Sequence, residues 1–287
     1  MTERCSPDKI EILGGAVCQH GPLNRRIYLM NIKDADPAAL ISDLERLAAR
    51  NGYTKIFAKV PASKAARFYD ADFRKEAAVP GFFRGEEDAL FLGRYFEEAR
   101  KTANDQEALD AVLRVALEKR RSRAELPPLP PEYRVEICTE DDIPAMSLLY
   151  RKVFPSYPFP IQDPGYLRET MASHVVYFAM TANEALVALA SSEMDEENRN
   201  VEMTDFATEP SERGRKLASH LLAAMEKAMA KRRISCAYTI SRAASFPMNI
   251  TFAGMGYAYG GRLINNTNIS GQIESMTVWY KALRTRS

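Results

Sequence analysis

One stretch of the chain combines residue types that could hold a phosphorylated ligand and move a proton. Residues 201–219 read VEMTDFATEPSERGRKLAS, in which a strand passes through a turn containing arginine and glycine into a long amphipathic helix. Such a turn presents unpaired backbone N–H groups at the positive end of a helix dipole, which suits a phosphate. Arg213 and Arg215 add charges that can pair with a pyrophosphate. The pattern therefore predicts a phosphate site, although many strand-to-helix turns are only tight turns.

The same stretch resembles the acetyl-CoA loop of the GNAT acetyltransferase superfamily. The family's loop has the form Arg/Gln-x-x-Gly-x-Gly/Ala, and Arg213 and Ala218 match its two ends, whereas Lys216 stands where the family usually has glycine. A lysine there either weakens the phosphate cradle or contacts a phosphate through its ammonium group. The resemblance implies that acetyl-CoA is bound by Phe206, Ala207, Thr208, Arg213, Gly214, Arg215, Lys216, Leu217, Ala218 and Ser219.

The elements around this loop follow the order of that superfamily. Four prolines in residues 126–131 cannot continue a helix or donate to a sheet, so they predict an extended linker. We expect an N-terminal α/β domain over 1–126, a linker over 127–131 and an acetyltransferase domain over 132–287. The predicted fold class is mixed α/β, with a central and mostly antiparallel sheet in the second domain.

The first domain contains a partial repeat of the second. Strand, helix, strand and strand patterns at 53–60, 62–69, 73–79 and 88–92 follow the order that is also read from 234 to 279. One hypothesis is a degenerate GNAT-like copy, and unrelated α/β packing is the alternative. No acetyl-CoA loop is present in residues 1–126. The roles that remain for this domain are to cover the acceptor site or to form a homodimer.

Within the superfamily the chain is most similar to the β-lysine N-acetyltransferases. The likeness lies in residues 204–208 (TDFAT), in the tail at 263–280 and in the presence of an N-terminal extension. It implies transfer of acetyl from acetyl-CoA to the side-chain amine of β-lysine. The product would be Nε-acetyl-β-lysine, a compatible solute with a role in osmoadaptation.

Transfer to an amine at neutral pH requires a base, because a free alkylammonium has a pKa near 10.4. Glu202 is the first candidate, since it lies eleven residues before Arg213, where some members of the superfamily place their catalytic glutamate. Strand alternation puts Glu202 and Phe206 on one face and Asp205 on the other. A bulge in the strand would bring Asp205 to the mouth of the substrate site. The alternatives are a solvated carboxylate for Glu202 and a loop anchor for Asp205.

A diamino acid substrate needs opposite charges and neutral hydrogen-bonding groups at separate places. The segment between the last strands is rich in such groups, and Glu193 is a weaker candidate on an earlier strand. Polar clusters of this kind are more often plain turns. The predicted substrate-binding residues are Asp205, Asn265, Asn266, Asn268 and Glu274.

The helix at 245–254 departs from the superfamily pattern. Counting back from Gly256, Ser245 occupies the position of a CoA-binding asparagine, and Asn249 one turn later could replace it. Phe252 occupies the position of the tyrosine that protonates the leaving thiolate, and it has no proton to give. Water, Tyr257 and Tyr259 are the remaining candidates for that acid.

Composition excludes several other classes of protein. The chain has 287 residues, 46% hydrophobic, with 39 Lys+Arg against 38 Asp+Glu, so we expect no nucleic-acid partner and no membrane partner. Four cysteines and three histidines show no zinc-site spacing, which predicts free thiols and no metal. No apolar run reaches the length of a membrane span, and a cytoplasmic protein is the working expectation.

Two rival functions stay open. In the same class, the acceptor is another small amine such as lysine, a polyamine or an aminoglycoside. In a different class, Lys216 and Phe252 indicate a non-catalytic acyl-CoA-binding regulatory module.

Overall fold

The computed structural model describes residues 8–122, 125–155, 157–269 and 271–283. This part of the chain forms strands and helices throughout both halves. The strands are β1 (Lys9–Leu13), β2 (Ala16–Gly21), β3 (Arg26–Asn31), β4 (Lys55–Pro61), β5 (Arg74–Phe83), β6 (Glu87–Tyr95), β7 (Tyr133–Ile137), β8 (Val175–Ala182), β9 (Ala185–Asp195), β10 (Asn200–Thr208), β11 (Cys236–Arg242), β12 (Ala258–Ile269) and β13 (Gln272–Ala282). The α-helices are α1 (Pro37–Asn51), α2 (Ala65–Asp70), α3 (Glu98–Lys101), α4 (Gln106–Ser122), α5 (Ile143–Val153), α6 (Pro164–Ser173), α7 (Leu217–Lys231) and α8 (Phe246–Gly254).

The strands join into a single sheet in the order β1-β2-β3-β4-β6-β5-β12-β13-β11-β10-β9-β8-β7. In the C-terminal half every neighbouring pair is antiparallel except β10 and β11, which run parallel. Helix α7 packs on one face of this half, and α5 and α6 pack on the other. The mixed α/β class and the mostly antiparallel sheet are therefore confirmed.

The N-terminal half repeats the connectivity of the C-terminal half. Strand β3 runs parallel to β4 and is linked to it by α1, as β10 runs parallel to β11 and is linked to it by α7. Strand β6 then lies between β4 and β5, as β13 lies between β11 and β12. The sequence pattern identified only the later part of this repeat, from β4 to β6. Origin as a degenerate copy stays a prediction, which the matching connectivity supports.

The two halves meet where β5 pairs with β12. Gly261 lies opposite Ala77 at this junction, with a φ of 145°. A Cβ atom at Gly261 would lie 2.2 Å from the Glu76 carbonyl oxygen and 2.6 Å from the Ala77 Cα. Only glycine therefore allows the backbones of the two halves to approach this closely.

Helix α4 precedes the proline segment but packs on the C-terminal half. Its apolar stripe includes Leu109, Val112 and Ala116, which are buried, as the helical periodicity predicts. Ala116 belongs to the core under α7, and Leu109 packs with Ala243 after β11. These contacts cross the predicted boundary at residue 126. The division into domains stays a prediction.

A separate apolar cluster joins the two halves. It combines Tyr28, Phe57 and Phe91 from the first half with Tyr238 and Met276 from the second. Aromatic side chains bury large areas, so this cluster holds the first half firmly against the second. One face of the N-terminal sheet is thereby brought to the region around β10 and β11.

Candidate active site

Strand β10 carries a β-bulge within the segment that contains the candidate acids. Its register with β9 is regular as far as Thr204, opposite Ser191, and resumes at Ala207. Asp205 and Phe206 consequently have no partner in this ladder, and Asp205 takes a left-handed backbone conformation with a φ of 56°. Backbone strain of this kind is found most often at functional sites.

The bulge changes which residues share a face of β10. Met203 packs in the core under α7, whereas Ala207 packs in the core under α5, although simple alternation would place both on one face. Phe206 packs against the same core as Met203, edge-to-face on Phe252 at 5.5 Å between ring centres. The prediction that Phe206 shares the face of Glu202 is therefore wrong, because the bulge inserts one residue.

Strands β10 and β11 separate directly after Glu202. Their parallel register covers only Asn200–Glu202 opposite Cys236–Tyr238. The gap between the two strands opens into a cavity of about 930 Å³. Side chains from both halves of the protein line this cavity.

Glu202 lies at the start of this gap, directly opposite Glu193 on β9, and both carboxylates line the cavity. Burial and the neighbouring Glu193 charge raise the pKa of Glu202 to about 7, while Lys59 and the Tyr238 hydroxyl act in the opposite direction. A carboxylate with such a pKa can both accept and release a proton near neutral pH. Near neutral pH Glu202 therefore lies between its protonated and its ionised form.

Asp205 is held in place by two hydroxyl groups. Tyr157 Oη donates to Asp205 Oδ1 at 2.6 Å, and Ser191 Oγ donates to Asp205 Oδ2 at 2.5 Å. Burial raises the pKa of Asp205, and these hydrogen bonds oppose the rise. All three residues line the cavity. The bulge therefore brings Asp205 to the same cavity as Glu202, and Tyr157 lines that cavity as well.

The loop between β10 and α7 lies along another part of the cavity wall. Gly214 has a φ of 82°, and Lys216, which stands at the N-cap position of α7, has a φ of 59°. Lys216 thus adopts the left-handed conformation that the usual glycine permits, which costs about 1 kcal/mol for a lysine. The residues predicted to bind acetyl-CoA that line the cavity here are Phe206, Thr208, Arg213, Gly214, Lys216, Leu217, Ala218 and Ser219, and the acidic Glu212 lines it beside them.

Comparison with known proteins gives three relatives that match almost from end to end. The chain is 36% identical over 278 residues to "Beta-lysine N(6)-acetyltransferase" of Methanococcus maripaludis, covering 96% of this chain and 98% of the relative. It is 33% identical over 272 residues to "N-acetyltransferase YodP" of Bacillus subtilis, covering 93% and 96%. It is 32% identical over 259 residues to "Beta-lysine N(6)-acetyltransferase" of Methanosarcina mazei, covering 84% and 95%. A model of the acetyltransferase (GNAT) family also matches residues 143–250.

The chain belongs to the GNAT acetyltransferase family. It is an N-acetyltransferase, and members of this family use acetyl-CoA and an amine acceptor. The resemblance read from residues 201–219 is confirmed at the level of the family, and so is the GNAT fold. The roles of individual residues stay proposals.

Three residues predicted to bind acetyl-CoA lie away from the cavity. Ala207 is buried under α5. Arg215 donates to Tyr133 Oη at 2.9 Å and lies 3.4 Å from Glu212. Asn249 is buried, and its Oδ1 accepts from Trp279 Nε1 at 2.9 Å. Ala207 and Asn249 are thus held inside the fold and Arg215 in a half-exposed ion pair, whereas Ser245 caps α8 and does line the cavity.

The sequence candidates for the thiolate acid are also absent from the cavity wall. Phe252 lines the cavity, but Tyr257 and Tyr259 do not. Burial raises the pKa of Tyr257 well above its usual value, which opposes ionisation rather than assisting it. Tyrosines that do line the cavity are Tyr28, Tyr157, Tyr166, Tyr177 and Tyr238.

The predicted substrate-binding residues separate into two groups. Asp205 and Asn266 line the cavity. Asn265 donates from Nδ2 to the Thr102 carbonyl at 2.8 Å, Asn268 donates to the Leu23 carbonyl at 3.0 Å, and Glu274 forms an ion pair with Arg242 at 2.6 Å. The last three are occupied by contacts within the fold, and the structure does not bring them to the cavity.

Cavity residues from the N-terminal half were missed by sequence reasoning. Lys59 on β4 lies with its Nζ 3.4 Å from Tyr238 Oη. Burial lowers the pKa of Lys59, but Tyr28, Glu202 and Glu193 outweigh burial, so its pKa lies above the usual value. No sequence motif surrounds Lys59. The signal that could have found it is strand alternation along β4, which places Lys59 on the same face as Phe57.

The remaining sequence expectations concern thiols and membranes. Cys18, Cys138 and Cys236 are free and buried, and Cys5 lies outside the described residues. Within the part of the chain that the structure describes, no helix is both long and apolar enough to cross a membrane.

Proposed function

We propose that this protein transfers an acetyl group from acetyl-CoA to the side-chain amine of β-lysine and forms Nε-acetyl-β-lysine. The observation that carries the proposal is the convergence of Glu193, Glu202 and Asp205 on one cavity that also reaches the 213–219 loop. Three acids at one end of a cavity suit a substrate that arrives as a cation. Two full-length relatives whose names specify β-lysine support this choice of acceptor.

Glu202 is proposed as the base that takes the proton from the substrate ammonium. The amine alone would be almost fully protonated at neutral pH, and a carboxylate with a pKa of about 7 accepts that proton more readily than an ordinary glutamate. The freed amine nitrogen then forms a bond to the acetyl carbon, and the bond between that carbon and the CoA sulfur breaks. The nitrogen then gives up its second proton to solvent as the amide forms, and the sulfur leaves as a thiolate or takes a proton from water.

Acetyl-CoA supplies the reactive thioester, and residues of this chain fit its binding. The N-terminus of α7, with Arg213 and Lys216 beside it, suits a diphosphate. Gly214 is free of any atom within 4 Å of a Cβ position, so the backbone there is open to close approach. The main-chain amides at Asp205 and Phe206, which lack ladder partners on β9, are the proposed donors to the thioester oxygen.

Release of the CoA thiol with a panel of amines tests the proposal. We expect the highest kcat/KM for β-lysine, with α-lysine, spermidine and an aminoglycoside as the comparison amines. Mass and NMR analysis of the product should place the acetyl group on the terminal nitrogen. A higher kcat/KM for another amine would replace β-lysine as the acceptor. Saturable CoA binding without turnover on any amine would favour the regulatory module.

The proposed product would act as a compatible solute. Its role is tested by measuring Nε-acetyl-β-lysine in cells that carry or lack this protein at low and high external salt. We expect salt-dependent accumulation only in cells that carry it. Accumulation that is independent of salt would remove osmoadaptation from the proposal.

A further inference from the structure

Arg26 on β3 is a buried cation that forms no ion pair within the described residues, although the charges of Asp8 and Glu76 act on its pKa. Its side chain is 4% exposed and lines the cavity. Nη1 donates to the Asn266 carbonyl at 2.5 Å and to Thr267 Oγ1 at 3.0 Å, whereas Nε has no hydrogen-bond partner among the residues that the structure describes. Of the ion pairs among residues 8–122, 125–155, 157–269 and 271–283, none includes Arg26. A buried charge left in this state is costly unless an anion joins it.

Two neighbouring amides on the cavity wall also have an unpaired atom. Gln19 is 2% exposed, and its Nε2 donor has no partner in the described structure. Asn266 is 1% exposed, and its Oδ1 acceptor likewise has none. Both side chains line the same cavity as Arg26. Buried polar atoms are normally satisfied, so two unpaired donors and an unpaired acceptor on one cavity wall point to a polar ligand.

The fold brings these groups together by strand alternation. Gln19 on β2 lies directly opposite Tyr28 on β3, and Arg26 is two residues before Tyr28, so the three share one face. The intervening Ile27 packs in the core under α1 on the other face. Tyr28 lines the same cavity, and the charges of Lys59, Glu202, Glu193 and Arg26 all act on its pKa. The N-terminal sheet thus contributes Arg26 and Gln19 to the cavity wall, whereas Glu193, Glu202 and Asp205 come from β9 and β10.

We propose that this wall is the carboxylate subsite of the acceptor pocket, with Arg26 and Gln19 donating to the carboxylate and Asn266 Oδ1 accepting from the adjacent ammonium. The inference rests on the proposed function in that it assumes an amine acceptor held at Glu202. A zwitterion with a free amine at the far end of its chain fits this arrangement, with its carboxylate at Arg26 and its free amine at Glu202. Selection of an amino acid over a plain diamine would then come from the N-terminal half.

The test compares two acceptors that differ only in the carboxylate. Pentane-1,4-diamine is β-lysine without its carboxyl group. We expect the wild-type enzyme to prefer β-lysine over this diamine by roughly 10²-fold in kcat/KM, because a site built for a polar group rejects a ligand that lacks it. Equal kcat/KM for the two acceptors would overturn the subsite and leave the proposed function standing.

Arg26→Gln should reduce that preference to less than about 10-fold by lowering kcat/KM for β-lysine alone. Arg100→Gln is the matched control: Arg100 is also buried, at 7% exposed, and its Nε donates to the adjacent Asn265 carbonyl at 2.7 Å, but it does not line the cavity. We expect Arg100→Gln to keep the wild-type preference. An equal loss of preference in both variants would assign Arg26 a structural role only and overturn the subsite.

Two measurements keep the test decisive if Arg26→Gln does not fold. Gln19→Met removes a donor that has no partner within the described fold, and it should lower kcat/KM for β-lysine by about 10-fold without affecting the diamine. If the wild-type enzyme acetylates neither compound, the proposed function fails. Binding is then measured by calorimetry with 6-aminohexanoate, which has the carboxylate, and with pentan-1-amine, which lacks it. The subsite requires that only 6-aminohexanoate binds and that Gln19→Met weakens this binding.

Discussion

Replacing Glu202 by glutamine tests both the chemistry and the electrostatics of the cavity. Burial and Glu193 raise the pKa of Glu202 from 4.5 to about 7, so the folded protein holds a proton on this group at pH values where the unfolded chain has released it. The stability of the wild-type protein therefore falls as pH rises from about 4.5 to about 7. The loss, complete above pH 7, amounts to at most about 3 kcal/mol.

The glutamine variant carries no charge at any pH and escapes this loss. We expect Glu202→Gln to be as stable as the wild type near pH 4 and more stable by up to about 3 kcal/mol at pH 8.5. For a protein of this size that difference raises Tm by several degrees. Activity should move in the opposite direction, since kcat/KM should fall by roughly 10²-fold or more when the base is lost.

Two assays test the raised pKa of Glu202 and its role as the base. Urea unfolding at pH 4.5, 6.5 and 8.5 gives the free energy of unfolding of both proteins, and thiol release between pH 5.5 and 9 gives kcat/KM. The wild-type profile should rise with pH through about 7, and this rise should disappear in the variant. A variant that is more stable by the same amount at every pH would refute the raised pKa. Unchanged turnover would remove Glu202 from the role of base, whatever the stability data show.

Three other predictions concern the surroundings of the site. Lys59→Met removes a charge that lowers the pKa of Glu202, so the rise in kcat/KM should move to higher pH. Glu193→Gln removes a charge that raises this pKa, so the rise should move to lower pH. Shifts of the same sign in both variants would contradict Glu202 as the group that titrates. Lys216→Gly removes a left-handed lysine and should stabilise the fold by about 1 kcal/mol in thermal unfolding, and calorimetry should show weaker acetyl-CoA binding if the ammonium contacts a phosphate. Gly261→Ala should destabilise the protein by about 3 kcal/mol or more in urea unfolding, because the new Cβ would collide with the backbone of the adjoining half. Gly254→Ala is the control: among the described residues no atom lies within 4 Å of its Cβ position, so the free energy of unfolding should change by less than about 1 kcal/mol.

The loop that follows β10 could be predicted because its signal is local. The chemistry of a phosphate site at a helix start depends on residues that are close in sequence, and Arg213, Gly214 and Ala218 are sufficient to suggest it. Glu202 could be proposed for the same reason, from its spacing to Arg213. The fold places all four of these residues on the wall of one cavity, in agreement with the local pattern.

The asparagines that the sequence pattern placed between the last strands lie inside β12, so that expectation is wrong, and their roles could not be predicted from a local pattern. Asn265, Asn266 and Asn268 are equivalent in composition, but the backbone of β12 directs only Asn266 into the cavity, while the other two hold neighbouring segments together. Which asparagine meets the ligand depends on the irregular register between Leu263 and Thr267. Sequence patterns do not specify the position of such an irregularity.

By itself the sequence determined the family and the mixed α/β class, and it suggested the cofactor loop and the candidate base, because these signals lie in residues that are near one another along the chain. Tertiary structure alone decided that Asp205 joins Glu202 in one cavity and that Arg26, Gln19 and Lys59 form its other wall. Those two groups of residues are separated by well over a hundred positions, and they meet because β5 pairs with β12 at Gly261 and because the apolar cluster around Phe57 and Tyr238 joins the two halves. A contact of that kind depends on how two sheets join, and no short-range pattern in the chain encodes it.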